Sequence, residues 1–321
     1  MRSHSVRNSA LTSSRAAFGS LVCLALAFTP GCAVDASEGH ESTTAADDDA
    51  IGKPAPSQPA PSQPAPAAVA GVVTAPPVNG QFDYQIGGAY APLSSIAIVD
   101  RDSSDAAVSG KYNICYINAF QAQPDAAAWW KSNHDDLLLK TAAGAYVVDS
   151  GWNEIVLDTR TAAKRTALAA IVNGWIDSCK AKGYQAIEPD NLDSWDRSKG
   201  LITKAHNIAF ATLLAQHAHA IGLAIAQKNA SEIAYEGKNQ IGFDFAIAEE
   251  CQRYSGEFGA KECDDYMHYY GNQVIEIEYN DNGGLTSYNN ACTARGAAIS
   301  ITYRDRDVVP KGTSGYVHKG C

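Results

Sequence analysis

Six apolar runs in this chain turn polar at their C-terminal ends. They are Ile-Val-Asp100, Tyr-Ile-Asn118, Glu188-Pro-Asp190-Asn191, Ala-Gln-Lys228-Asn229, Ala-Glu249-Glu250 and Glu276-Ile-Glu278-Tyr279. A carboxylate is almost never buried without a partner, so one such end would read as a solvated edge. A series of them points to a shared site. Two carboxylates across one cleft are what glycoside hydrolysis uses: one protonates the leaving oxygen while the other attacks or activates water. Strand periodicity sorts the residues by face. Ala186, Glu188 and Asp190 share a face, as do Ala224, Ala226 and Lys228, and Phe243, Phe245, Ile247 and Glu249. In Val274–Tyr279 the isoleucines 275 and 277 are expected to meet helices, which would turn Glu276 and Glu278 inward.

Other chemistries lack their residues. No Gly-rich phosphate loop or G-x-G-x-x-G follows the first strand, and no G-x-S-x-G elbow is present. His217-Ala-His219 lies in a helical pattern at i,i+2, where the rings diverge, so it reads as surface histidines rather than a metal site. No metal and no cofactor is expected. The net charge of −10 argues against a nucleic-acid partner and against an anionic lipid surface.

Carboxylates at the ends of successive strands need a scaffold that gathers those ends. Strands are expected at Ile96–Asp100, Tyr112–Asn118, Glu154–Leu157, Ala186–Asp190, Leu223–Lys228, Phe243–Glu249, Val274–Tyr279 and Ala298–Tyr303. Phe82–Ile86 is a ninth candidate, so either it opens the barrel or another of these lies outside it. Thr161–Lys182 has a helical face of Leu168, Ile171, Val172, Trp175 and Ile176. Ala205–Ile221 is a second helix, closed by Gly222. Alternation of this kind predicts a parallel sheet, and some 240 residues suit a single (β/α)8 TIM-type barrel over residues 80–321, with its site at the C-terminal rim.

The first 31 residues read as an export signal. Arg2, Arg7 and Arg15 precede a short apolar run, Ala16 to Phe28, and Thr29-Pro30-Gly31-Cys32 resembles a lipobox that would make Cys32 a lipidation site. Residues 32–79 are acidic and Pro-rich, with Asp47-Asp48-Asp49 and Pro-Ala-Pro-Ser-Gln repeats, and are expected to be a disordered tether. The expected product is therefore exported, either as a cell-surface lipoprotein or secreted. Its only membrane contact would be the lipid anchor. With Cys23 and Cys32 set aside, six cysteines remain, and export makes disulfides the default. Cys251 and Cys263 flank one loop and are expected to pair, with Cys292–Cys321 and Cys115–Cys179 completing the set.

Cys115-Tyr-Ile-Asn118-Ala-Phe-Gln, Leu157-Asp-Thr-Arg160, Glu188-Pro-Asp-Asn191-Leu-Asp193, Gln227-Lys-Asn229 and Phe243-Asp-Phe-Ala-Ile-Ala-Glu249-Glu-Cys251 together resemble glycoside hydrolase family 114. Glu276-Ile-Glu-Tyr279 and Arg304-Asp-Arg306 extend the match, which runs from about Phe82 to Cys321. These are the endo-α-1,4-polygalactosaminidase-like proteins of bacteria and fungi. The resemblance implies a TIM-type barrel that cleaves α-1,4-linked galactosamine chains, with Asp190 and Glu249 as its two essential carboxylates. The chain has Ala-Glu-Glu-Cys where relatives often have Asn-Glu-Gln-Cys, which favours Glu249 over Glu250. Asp190 fits the nucleophile and Glu249 the acid/base, since Glu250 beside it would raise its pKa. Lys228, on the strand between them, would favour ionised carboxylates.

Asp100, Asn118, Glu188, Asn191, Asp193, Lys228, Asn229, Glu278, Tyr279 and Arg304 are candidates for substrate contact, and Trp195 and Tyr116 for stacking on a sugar. The expected substrate is a cationic amino-sugar polysaccharide, the expected action endo and retaining, and the expected state a monomer. The alternative is a non-catalytic barrel that binds amino-sugar polymer without cutting it.

Overall fold

The computed structural model describes residues 72–256 and 261–321, so the expected signal, Cys32 and most of the expected tether lie outside the described residues. The chain enters a barrel through β1 (Phe82–Gln85), β2 (Ile98–Asp102) and β3 (Tyr112–Asn118), which are joined by loops rather than helices. An excursion follows, made of β4 (Gln121–Ala122), α1 (Ala127–Asn133), β5 (Val148–Asp149) and β6 (Glu154–Val156). Within it β4 and β5 flank β6 antiparallel. Helix α2 (Ala162–Ala181) leads back to β7 (Ala186–Asp190), and α3 (Lys204–Ala220) leads on to β8 (Ala224–Lys228). A short α4 (Ala234–Glu236) precedes β9 (Phe245–Glu249), which is followed by α5 (Cys251–Tyr254) and α6 (Glu262–Tyr270). The chain ends with β10 (Val274–Tyr279), α7 (Gly284–Arg295), β11 (Ser300–Arg304) and β12 (His318–Gly320).

Strands β1, β2, β3, β7, β8, β9, β10 and β11 pair in parallel in that order, and β12 runs antiparallel along β11. The result is a nearly closed TIM-type barrel. Its seam is bridged from the last strand to the first. His318 Nε2 donates to the Phe82 carbonyl at 3.0 Å, and Gln81 Nε2 donates to the Cys321 carbonyl at 2.8 Å. Phe82–Gln85 is thus the first barrel strand. The candidate that lies outside the barrel is Glu154–Val156, which sits in the small antiparallel sheet.

Sequence alternation explains the packing of β7, β8 and β9. Inward Ala186, Ala224, Ala226, Phe245 and Ile247 fill the barrel with Phe82, Tyr84, Ile98 and Ile114. Outward Ile187, Ile225, Ala246 and Ala248 join the layer beneath the helices, which includes Leu168, Val172, Ile176, Phe210 and Leu214. Each large aliphatic chain buried this way contributes roughly 1.5–3 kcal/mol. Helix α2 starts where Thr161 accepts a hydrogen bond from the Lys164 amide, and α3 ends before Gly222, whose φ of 72° suits glycine.

Strand β10 departs from the expected parity. Ile275, Ile277 and Tyr279 point into the barrel, so Glu276 and Glu278 face the helices. Every residue of β10 is buried, and with two buried faces alternation does not say which is inside. The carboxylates are tolerated there because the helices supply donors. Arg295 of α7 forks onto Glu276 at 2.8 and 3.0 Å, and the Gln252 amide of α5 donates to Glu278 at 2.9 Å. Burial first, and the Glu276 carboxylate next, push the Glu278 carboxyl up to about 8.

A raised carboxyl stabilises the fold while it is protonated in both states, and that contribution is lost as pH rises through its folded value. Glu278 should therefore cost stability between about pH 5 and 8, in the same direction as Glu154, which burial raises to about 7. Urea midpoints should fall over that range, and Glu278→Gln should flatten the fall. An unchanged slope in the variant would contradict this assignment.

Three disulfides join Cys115 to Cys179, Cys251 to Cys263 and Cys292 to Cys321, with Cα–Cα distances of 6.1, 5.1 and 5.6 Å. They tie β3 to α2, α5 to α6, and α7 to the chain end beyond β12. In the chain-entropy account a loop of about 15 residues gains about 3 kcal/mol from closure. Peptide mapping without reductant should recover these three pairs, and a free thiol at any of the six positions would contradict them.

Candidate active site

The carboxyl ends of β7, β8 and β9 lie side by side and gather Glu188 and Asp190, Lys228, and Glu249 at the mouth end of the barrel. Lys228, on the middle strand, is only 2% exposed. Its ammonium lies 2.6 Å from Glu188 Oε1, 3.5 Å from Asp190 Oδ1 and 3.5 Å from Glu249 Oε2. The last two oxygens are therefore no farther apart than twice that distance. Asp190 and Glu249 are 22% and 25% exposed, so both reach solvent while their shared cation does not.

The backbone turns out of the barrel in the same way at all three ends. Asn191, Asn229 and Glu250, each just after its strand, have positive φ of 66°, 49° and 60°. Asparagine tolerates this left-handed conformation, whereas for Glu250 it costs about 1–2 kcal/mol. Such strain persists where the surroundings enforce it, as they often do at functional sites.

Tyrosines from β1, β3 and β10 complete the floor and walls. Tyr84 donates to Glu188 at 3.1 Å, Tyr116 to Asp190 at 2.8 Å, and Tyr279 to Glu249. Burial, the largest influence on each, keeps all three phenols well above their ordinary pKa, so they act as donors. Asn229 Nδ2 donates to the other Glu249 oxygen at 2.9 Å, and the Glu249 amide donates back to Asn229 Oδ1 at 2.9 Å. Burial pushes the Glu249 carboxyl up, but Lys228, Tyr279, Asn229 and Arg306 together outweigh it and hold it below the usual range. Burial likewise pulls Lys228 down, and the charges of Asp190, Glu188 and Glu249 more than reverse this. The lysine is a cation.

Beneath the cleft, Asp100 is fully buried with neither carboxyl oxygen hydrogen-bonded to a donor. Burial first, and the charge of Glu188 next, push it well above the carboxylate range. Held protonated, Asp100 can act as a donor towards Glu188. Asn118 and Asn191 build a side wall with Glu154. Asn118 Nδ2 donates to Glu154 at 2.8 Å, and Asn191 Nδ2 donates to Asn118 Oδ1 at 3.0 Å. Arg197 clamps this wall by bonding Asn191 at 3.1 Å, Asp193 at 2.6 and 3.0 Å, and Asp149 of β5 at 3.0 Å.

The fold thus brings Asp190, Asn191, Asp193, Lys228, Asn229, Glu249, Tyr279 and Asn118 around one mouth, whereas Glu188 and Asp100, expected as substrate contacts, are fully buried under it. Two further expected contacts are not brought there. Glu278 faces α5, and fully buried Arg304 donates across the seam to the Tyr84 carbonyl and to Val309 O at 3.0 Å. Tyr84, Glu154 and Arg306 belong to the site without having been singled out for it. The two-residue alternation from Phe82 to Tyr84 carried the signal for the first. His217 and His219 pair with different aspartates, Asp177 at 2.7 Å and Asp244 at 2.9 Å. Cys251 and Cys263, which with Glu276 form a group of potential metal ligands, are bonded to each other.

A family model for glycoside-hydrolase family GH114 matches residues 62–321. Among solved structures, the chain is similar to Ega3 of Aspergillus fumigatus, determined in complex with galactosamine. The two share 24% identity over 78% of this chain and 99% of that one, with a TM-score of 0.58. It is also similar to the glycoside hydrolase domain of PelA from Pseudomonas aeruginosa, at 17% identity over 73% and 97% of the two chains, with a TM-score of 0.50. At these identities the likeness is one of fold. The comparison with curated proteins returned no match. A family pattern spanning the whole barrel, over a mouth that presents two carboxylates around one buried cation, makes this chain a member of glycoside-hydrolase family GH114 and a glycosidase.

Proposed function

We propose that the protein is an exported endo-acting hydrolase of α-1,4-linked galactosamine polymers, working with retention through Asp190 and Glu249. The observation that carries the reading is the shared position of these two carboxylates at 3.5 Å from Lys228. Retaining glycosidases hold their pair about 5–5.5 Å apart, which this arrangement accommodates. Membership of the family and the galactosamine bound to Ega3 support the sugar class. The acidic balance supports a polycation, since an acidic cleft concentrates one. Three disulfides suit an oxidising compartment.

In the first step an Asp190 oxygen attacks the anomeric carbon, the glycosidic C–O bond breaks, and Glu249 gives its proton to the leaving oxygen. In the second, Glu249 takes a proton from water, whose oxygen attacks the same carbon and releases Asp190. Two inversions leave the original α configuration. The sequence argument for these roles relied on Glu250 raising Glu249. The structure removes that premise, because Arg306 engages Glu250 at 2.7 and 3.0 Å. The Glu249 carboxyl is held low by its neighbours, so its acid role requires proton uptake as sugar covers it and extends the desolvation that already pushes it up.

The purified protein should release galactosamine oligomers from partly deacetylated α-1,4-galactosamine polymer, read by mass spectrometry. Retained binding without cleavage would make it a binding module instead. Azide tests the roles. It should rescue Asp190→Ala to a β-glycosyl azide and Glu249→Ala to an α-glycosyl azide, and the opposite pattern would exchange the two residues.

A further inference from the structure

Arg306, two residues beyond β11, is held by carboxylates from two other loops and lies against the ring that touches Glu249. Its Nη atoms donate to the two Glu250 oxygens at 2.7 and 3.0 Å, after β9. Nε and Nη2 donate to Asp281, after β10, at 3.2 and 2.9 Å. With every nitrogen of the fork engaged, the guanidinium plane is fixed in orientation. Its central carbon lies 4.0 Å from the centre of the Tyr279 ring. The hydroxyl of that same ring donates to Glu249 Oε1. A cation on the face of a phenol draws electron density from the ring and strengthens the O–H as a donor.

We propose that Arg306 is a positioning residue of the active site, acting through Tyr279 to fix and polarise the hydrogen bond that Glu249 receives. The proposal rests on the reading that Glu249 is catalytic. It also accounts for the strained backbone at Glu250, since the left-handed turn there accompanies a carboxylate that forks onto Arg306. Glu249 is faced by Lys228 on β8, Tyr279 on β10, Asp190 on β7, Tyr84 on β1 and Arg306 beyond β11. Among these, Lys228 and Arg306 are the cations. Removing Arg306 must therefore move Glu249 towards its protonated form.

The test uses the full chain with Arg306→Gln, Tyr279→Phe and the double variant, on galactosamine polymer and by carboxyl-carbon NMR with labelled glutamate. Arg306→Gln should lower kcat about tenfold with KM within about twofold of wild type, because the loss of a fixed Tyr279–Glu249 geometry outweighs the easier protonation of Glu249. The limb of the pH profile that reports Glu249 should move to higher pH, as should its NMR titration. Arg306→Lys, which keeps the charge but not the planar fork, should recover the limb position more fully than kcat. In the Tyr279→Phe background Arg306→Gln should add less than about twofold, because both changes act on one hydrogen bond.

An Arg306→Gln variant with normal kcat and an unmoved Glu249 titration would overturn the proposal. So would full additivity with Tyr279→Phe, or a loss seen only in KM, which would mean that Arg306 touches substrate directly. If the wild type cuts no polymer, the hydrolase reading falls. The NMR titration then still decides whether Arg306 governs Glu249.

Discussion

Asp190→Asn and Glu249→Gln should each lower kcat by roughly 10³-fold or more on galactosamine polymer, with the fold and polymer binding nearly unchanged. Neither substitution changes shape, and each leaves acceptor oxygen for the tyrosine beside it, Tyr116 or Tyr279. In the proposed mechanism the first change removes the nucleophile and the second the proton carrier. Circular dichroism and sedimentation of polymer-bound protein would establish that the variants are folded and bind. Glu250→Gln should be far milder, costing a few-fold at most, because the amide retains a contact to Arg306. Near-normal turnover in Asp190→Asn would remove that residue from the mechanism.

Lys228→Met should give the largest loss of stability among single changes in the barrel. Among the described residues the ammonium is the one cation facing Glu188, Asp190 and Glu249 at once, and Asp100 lies just beneath them. Removing one member of a buried pair typically costs 3–5 kcal/mol, since the remaining charge is left uncompensated. The sign of the pH effect follows. Without the cation, burial is left to push the Glu249 carboxyl up in the folded protein, so the variant regains stability on acidification and loses it as pH rises. Urea unfolding at pH 5 and pH 8 should show the gap to wild type widening at the higher value. The double variant Lys228→Met with Glu188→Gln removes one charge of each sign and should recover much of the loss. A gap that narrows at pH 8, or a double variant no better than the single one, would show that the cluster is not held by this charge balance.

Much of this site was legible in the chain because β7, β8 and β9 combine three local signals. Their inward positions alternate strictly, each run ends in a charged residue, and an asparagine or glutamate follows that takes the left-handed turn. The order Asp190, Lys228, Glu249 around the rim is therefore already present in the one-dimensional pattern. Strand β10 lacks the asymmetry. Isoleucines and glutamates alternate there, both faces are buried, and it takes the Arg295 fork on Glu276 and the Gln252 amide on Glu278 to show that the acids face outward. Arg304 misled for a related reason, since its position at a strand end gives no sign that it spans the seam to β1. Tyr84, Glu154 and Arg306 come from the first strand, a side sheet and a distal loop. Their approach to the mouth depends on closure of the barrel and on the excursion after β3, neither of which leaves a local trace in sequence.

Proton NMR of a wild-type digest of de-N-acetylated α-1,4-galactosamine polymer, followed from the first minutes, tests the central claim most directly. The anomeric signal of newly formed reducing ends should appear first as the α form, with β growing in only through mutarotation. New ends that appear first as β would show inversion and contradict the assigned roles of Asp190 and Glu249. Polymer left intact would contradict the assigned substrate.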